Sequence, residues 1–308
     1  MVALMGSVGG LAVALGSLCL ARVGHDRQYH QRRQTGLAAV REALACVTAV
    51  QQHRGMAAAL LNGDAAFGAR LRAKQVEVDA CLQALAARIG NTAALTVCVP
   101  RLERIDAQWR QLAGRIHGMT PEQSFAAHTA LVQQLLYQLG DLGEQAGLLD
   151  TRDDAERRLV QLLLQRLPPL VEYIGQARAL GSGFAAKGQC GAVGRIRLRF
   201  LAQRIGAGQA ALTALIDMPD WQRSAQTQGA EVSNLLALIE TRLIGASTID
   251  LAPADYFRSA TQTIDACLAL WQRVASEVEQ GLAGQGREPP AVASSAGSAP
   301  TAVPVGAA

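Results

Sequence analysis

Apolar side chains recur at intervals of three and four residues along most of this chain, the spacing that places them on one face of an α-helix. Ala, Leu, Gln and Arg, all favourable in helices, occur in long runs, and no segment alternates β-branched and polar residues as a strand does. Half of the residues are hydrophobic but only 4% are aromatic. The sequence therefore predicts an all-α protein.

The N-terminal segment is uncharged over residues 1–21. At about 1.5 Å per residue, a helix of this length crosses a hydrocarbon core of roughly 30 Å. We therefore predict a transmembrane helix that contacts lipid through residues 2–21. A cleaved signal peptide is the alternative, although the basic segment that precedes its apolar core is absent. Gly6 and Gly10 have the spacing of a helix-dimerisation motif, so either a homodimer or ordinary packing is expected there.

The segment after this predicted span, residues 22–36, is basic, with four arginines and two histidines against one aspartate. The positive-inside rule then places the C-terminal body in the cytoplasm and the chain in the inner membrane as a single-pass protein. An inverted orientation would make the body extracytoplasmic. Scattered cysteines without CxxC spacing favour a reducing compartment. They are Cys19, Cys46, Cys81, Cys98, Cys190 and Cys267.

Helix start and stop signals divide the body into two four-helix bundles that share long helices. The first group, residues 37–150, contains helices predicted at 25–61, 64–89, 93–116 and 121–149, and the second group, residues 151–283, contains helices at 153–187, 192–216, 221–243 and 253–282. Pro168 and Pro169 are expected to kink or break the helix at 153–187, because proline lacks a backbone donor. Residues 284–308, rich in Pro, Ala, Ser and Gly, are predicted to be disordered.

Two arginines interrupt apolar helical seams. Arg54 lies in the seam Val40, Ala43, Val47, Val50, Arg54, Ala57 and Leu61, and Arg178 lies in the seam Leu164, Leu167, Val171, Ile174, Arg178, Gly181 and Ala185. A guanidinium in a helical core without a partner incurs a desolvation cost of several kcal/mol. Neither seam carries an acidic residue there, and Glu42 and Glu172 fall on other faces. Two such arginines would form a site for a small anion. Alternatively, each reaches water or pairs with a carboxylate from another helix.

Further candidates follow from the same helices. Arg197 and Arg204 flank the apolar line of the sixth helix and are additional candidate anion ligands. The predicted ligand-proximal residues are Gln52, Gly55, Gly181 and His128. A lone histidine in an apolar seam is more often a hydrogen-bonded core residue, although near an anion it would add a proton-dependent contact.

Catalytic chemistry is not expected. The Glu-x-x-His pairs of carboxylate-bridged metal bundles are absent from the sequence, as are a GxSxG elbow, a P-loop and a HExxH motif, so we predict no catalytic residue, metal or cofactor. The net charge of +4 is small, and acidic residues are interspersed among the arginines, so no nucleic-acid partner is predicted.

Several short motifs resemble one family in their order along the chain. They are Gln51-Gln52-His53-Arg54-Gly55-Met56, Leu167-Pro168-Pro169-Leu170, Gly175-Gln176-Ala177-Arg178-Ala179-Leu180-Gly181, Tyr256-Phe257, Ala260-Thr261 and Ile264-Asp265. Together they resemble the nitrate- and nitrite-sensing (NIT) domains. His53 departs from the pattern, because an acidic residue is expected before the Arg-Gly pair.

The resemblance implies an all-helical sensor of two four-helix bundles that binds nitrate or nitrite between them through arginines, with Arg54 and Arg178 at the family's arginine positions. The sequence shows no recognisable output domain, so the signal is expected to pass to a separate downstream protein. The predicted function is thus a membrane-anchored small-anion sensor. The alternative is a membrane-tethered helical adaptor or scaffold without a small-molecule ligand.

Overall fold

Helices are the regular secondary structure of this protein over the part of the chain that its computed structural model describes. This part comprises the backbone of residues 5–216 and 219–285, and the side chains of residues 24, 26–216 and 221–284. No strand occurs in these ranges, and the prediction of an all-α fold is confirmed.

The first group of helices packs around the long N-terminal helix. It consists of α1 (Met5–Leu61), α2 (Phe67–Gly90), α3 (Val99–Arg115) and α4 (Pro121–Gln145), with a 3₁₀ segment at Ala93–Cys98. Both α2 and α4 pack along α1, and α3 contacts α2 and α4. The apolar seam predicted for α1 is buried, since Val40, Val47 and Val50 are fully enclosed. Burial of this stripe holds α1 in the centre of its group.

The second group is built around α6. Its helices are α5 (Asp154–Gln161), α6 (Leu167–Lys187), α7 (Ala192–Thr213), α8 (Pro219–Leu238) and α9 (Pro253–Gln285). α6 packs against α7 and α9, and it also contacts α1 and α4 of the first group. α6 is therefore covered on several sides, which explains why it buries residues all around its circumference.

The helix containing the two prolines is not broken. A π-helical turn at Leu162–Arg166 joins α5 to α6, and Pro168 and Pro169 lie in the first turn of α6. The backbone N–H of Leu167 donates to the carbonyl of Leu162, five residues earlier. Prolines are tolerated in a first helical turn because the missing donor has no partner to lose there. The predicted interruption is thus a local π-turn.

A buried ion pair connects the middle of α1 to α5 of the second group. Arg33 Nη2 lies 2.5 Å from Glu156 Oε1, and the side chains are 2% and 9% exposed. The Thr151 hydroxyl donates to the other carboxylate oxygen of Glu156 at 2.6 Å. Arg33 lies within the predicted basic juxtamembrane segment, and its side chain is buried in the folded core.

The predicted transmembrane segment lies only partly within the described residues. Its backbone is helical from Met5 and continues without interruption to Leu61, whereas residues 1–4 and the side chains through residue 23 lie outside them. Among the residues that the structure describes, no helix is both long and apolar enough to cross a membrane. Residues 286–308 of the predicted disordered tail also lie outside the described ranges.

Candidate anion-binding site

Arg54 lies in the core between the two helical groups and is paired with a carboxylate. Its Nη1 is 2.7 Å from Glu172 Oε1, and its Nη2 is 3.2 Å from Glu172 Oε2. The two side chains are only 2% and 4% exposed. This is the two-point arrangement that a planar guanidinium forms with a planar oxyanion. For Arg54 the structure thus shows the alternative left open by the sequence, a carboxylate from another helix, and this pairing is possible because α6 contacts α1 as well as α7 and α9.

Two amide side chains complete the surroundings of the Glu172 carboxylate. Gln51 Nε2 donates to Oε2 at 2.8 Å, and Gln176 Nε2 donates to Oε1 at 2.9 Å. Arg54 in turn donates to the Thr129 hydroxyl at 3.1 Å. Glu172 thus receives four N–H groups from three residues on α1 and α6. A buried charge is tolerated only when it is paired and hydrogen-bonded in this way.

Arg178 is the second cation of the cluster, and it is partly buried. Its Nη1 donates to the Thr261 hydroxyl at 3.0 Å, and its guanidinium carbon lies 4.9 Å from the centre of the Phe257 ring. Burial, and next the positive charge of Arg54, lower the pKa of Arg178 below its usual value. An arginine nevertheless stays protonated at neutral pH. Within the described residues, Arg178 forms no ion pair with a carboxylate, so its charge is not neutralised by direct contact.

Glycines let aromatic and charged groups approach α6 closely. A Cβ added at Gly181 would lie 2.3 Å from the Tyr256 ring, and one added at Gly175 would lie 3.1 Å from Arg54 Nη2. The Tyr256 hydroxyl donates to the carbonyl of Ala177 at 2.9 Å. These contacts fix α9 and the Arg54 guanidinium against α6, on which Arg178 is located.

A pair of buried histidines lies beside the cluster in the first helical group. His53 Nδ1 is 2.8 Å from His128 Nε2, and His128 Nδ1 is 2.7 Å from the carbonyl of Ser124. The hydrogen bonds are satisfied if each Nδ1 carries the proton and donates it. Burial lowers the pKa of His53 to about 4 and that of His128 to about 3, so both rings are neutral at pH 7. His128 is therefore a core residue.

The sequence matches a known family over most of its length. The model of the family described as nitrate and nitrite sensing (NIT) matches residues 45–281, a range that includes both arginines and Glu172. The chain belongs to the NIT family. Its fold is similar to the solved structure of the NasR transcription antiterminator, with a TM-score of 0.67 and 20% sequence identity, over 88% of this chain and 74% of that chain. No curated protein matches the sequence.

Three other candidate side chains, those of Arg197, Arg204 and Gln52, lie at the surface of this NIT protein. Arg197 and Arg204 are exposed on α7, where Arg204 donates to the Tyr173 hydroxyl at 2.7 Å. Gln52 is also exposed and accepts a hydrogen bond from a lysine on α2 at 2.7 Å. A Cβ at Gly55 would meet no atom within 4 Å. Of the sequence candidates, Arg54 and Arg178 are close enough for the charge of Arg54 to lower the pKa of Arg178, and Gly181 packs against Tyr256.

Helical periodicity did not identify three neutral polar side chains of this cluster, although all three lie in the motifs that resemble the family. Gln51, Gln176 and Thr261 carry no periodic signal, because their roles depend on contacts between distant helices. For Glu172 a signal did exist: it is the sole acidic residue between residues 162 and 187, in a stretch that is otherwise largely apolar. An isolated carboxylate of this kind is a candidate partner for a buried cation elsewhere.

Proposed function

We propose that this NIT protein is a sensor that binds nitrate or nitrite at Arg178, beside Arg54, between α1, α6 and α9. The charge balance of the cluster carries this proposal. Arg54 and Glu172 are paired in direct contact, whereas Arg178 has no contacting carboxylate in the described residues. Asp265 and Glu172 act on the charge of Arg178 without forming an ion pair with it. One monovalent anion would supply the direct partner that Arg178 lacks.

The groups around Arg178 suit a small planar oxyanion. The guanidinium offers parallel N–H donors that match two oxygens of nitrate or nitrite. The Thr261 hydroxyl already lies 3.0 Å from Nη1 and would become a further donor to the anion. Phe257, itself 47% exposed, packs its ring against the guanidinium. Electrostatic attraction is stronger at a partly buried cation such as Arg178 than at a fully exposed one.

Calorimetric titration of the protein with nitrate, nitrite and chloride tests this function. We expect the two nitrogen oxyanions to bind and Arg178→Ala to abolish binding. Arg197→Ala is the matched control, because it removes an exposed arginine of α7 and should leave the affinity unchanged. If no anion binds, the scaffold alternative is favoured, in which Arg54 serves only as one partner of an internal ion pair.

The position of the cluster supports a way of transmitting the signal. The site joins α1 of the first group to α6 and α9 of the second, so ligand contacts there would favour one arrangement of the groups over another. α1 runs without interruption from Met5 past Arg54. In our proposal the uncharged N-terminal segment anchors this helix in the membrane, and a separate downstream protein receives the signal. Carbonate extraction of membranes, with and without residues 1–21, tests the anchor.

A further inference from the structure

The carboxylate of Glu172 resembles a ligand in its contacts. Four N–H groups from Arg54, Gln51 and Gln176 converge on its two oxygens over distances of 2.7 to 3.2 Å. Donors of this kind recognise any planar group with two negatively charged oxygens about as far apart as those of a carboxylate. Nitrate and nitrite meet this description. The protein thus supplies one of its own carboxylates, that of Glu172, as the anion bound to Arg54.

We propose that Glu172 is an internal competitor of the sensed anion: it occupies Arg54 in the resting state and must yield that position when nitrate or nitrite binds. The inference rests on the proposed function, because it concerns the same arginine cluster. It adds that Glu172 sets the anion concentration needed for binding and that its displacement couples binding to a change in the contact between α1 and α6.

Electrostatics makes Glu172 and a bound anion compete. Both are negative, and Glu172 is only 4% exposed, so little water screens their mutual repulsion. An anion at Arg178 that also contacts Arg54 would have to displace the carboxylate. The apparent affinity for the anion is then lowered, because only the small fraction of molecules in which Glu172 has already left Arg54 can bind it.

The same displacement would loosen one connection between the helical groups. Arg54 and Gln51 belong to α1, whereas Glu172 and Gln176 belong to α6. Their hydrogen bonds tie α1 to α6 in the resting state. Exchanging this internal ion pair for an anion shared by Arg54 and Arg178 frees the carboxylate of α6, and the single bound anion then faces both cations.

Glu172→Gln tests the inference, because the amide keeps the shape of the side chain but removes its charge. The matched control is Glu156→Gln, which changes a buried carboxylate that is also paired with an arginine but lies in the Arg33 contact. In calorimetric titrations with nitrate, we expect Glu172→Gln to lower the Kd at least about fivefold, a coupling of ordinary size. Glu156→Gln should leave the Kd unchanged.

A second variant covers the case in which Glu172→Gln does not fold. Glu172→Asp keeps the charge but withdraws the carboxylate by one methylene, so it cannot keep both contacts with Arg54, and its Kd should also fall below that of the wild type. An equal or higher Kd in the folded variant would overturn the inference, while loss of binding in Arg178→Ala would still support the sensor. If the wild type itself binds no nitrate or nitrite, the proposed function fails first and the inference with it.

Discussion

Arg54→Ala should be strongly destabilising, because it leaves Glu172 charged and 4% exposed in the interface between the helical groups. Among the described residues, the amides of Gln51 and Gln176 would remain to contact its carboxylate. Removing one partner of a buried ion pair typically costs about 3–5 kcal/mol. With a shift in Tm of about 2–4 °C per kcal/mol for a domain of 150–250 residues, Tm should fall by about 6–20 °C.

Urea denaturation followed by circular dichroism at 222 nm measures this cost. The control is Arg110→Ala, in which a 74% exposed arginine loses its ion pair with Asp106, and it should change the free energy of unfolding by less than about 1 kcal/mol. The double variant Arg54→Leu/Glu172→Leu removes both charges and should recover most of the loss. A cost for Arg54→Ala no larger than that of Arg110→Ala would refute this account of the interface.

Three further results are expected. Gly181→Ala places a Cβ 2.3 Å from the aromatic ring of α9 and should lower the free energy of unfolding by about 1–3 kcal/mol in urea titrations. The pKa of His53 is lowered to about 4 and that of His128 to about 3, so the unfolded histidines, with a pKa near 6.5, bind protons first. Stability should therefore fall as the pH decreases from about 6.5 towards 3, and replacing both histidines by phenylalanine should flatten this dependence in urea titrations. A hydrogen bond from Cys46 lowers the pKa of the Cys81 thiol to about 7, so Cys46→Ala should slow its alkylation by iodoacetamide at pH 7, as followed by mass spectrometry.

Features that depend on one helix could be predicted from the sequence. The burial of Arg54 follows from apolar neighbours one turn away on each side, and the structure confirms it with 2% exposure. Thr120 and Pro121 mark the start of α4, where the Thr120 hydroxyl and the Gln123 side chain form a capping box. Both signals lie within a few residues of the feature that they predict.

Features that depend on how helices meet could not be predicted in the same way. The heptad pattern assigned one buried face to α6, but this helix contacts α1, α4, α7 and α9, so Glu172 is buried as well. The π-turn at Leu162–Arg166 adds a further irregularity that a fixed heptad omits. Arg197 and Arg204 flank the apolar line of α7 in sequence, and the structure places both in solvent.

The location of the bound anion tests the central claim most directly. A crystal structure of the protein grown with saturating nitrate should show a nitrate oxygen at about 3 Å from the Arg178 guanidinium and another within reach of Thr261. Glu172 should then have moved away from Arg54. Nitrate bound elsewhere, with Arg178 still contacting Thr261 and Phe257, would contradict the assignment of this cluster as the sensing site.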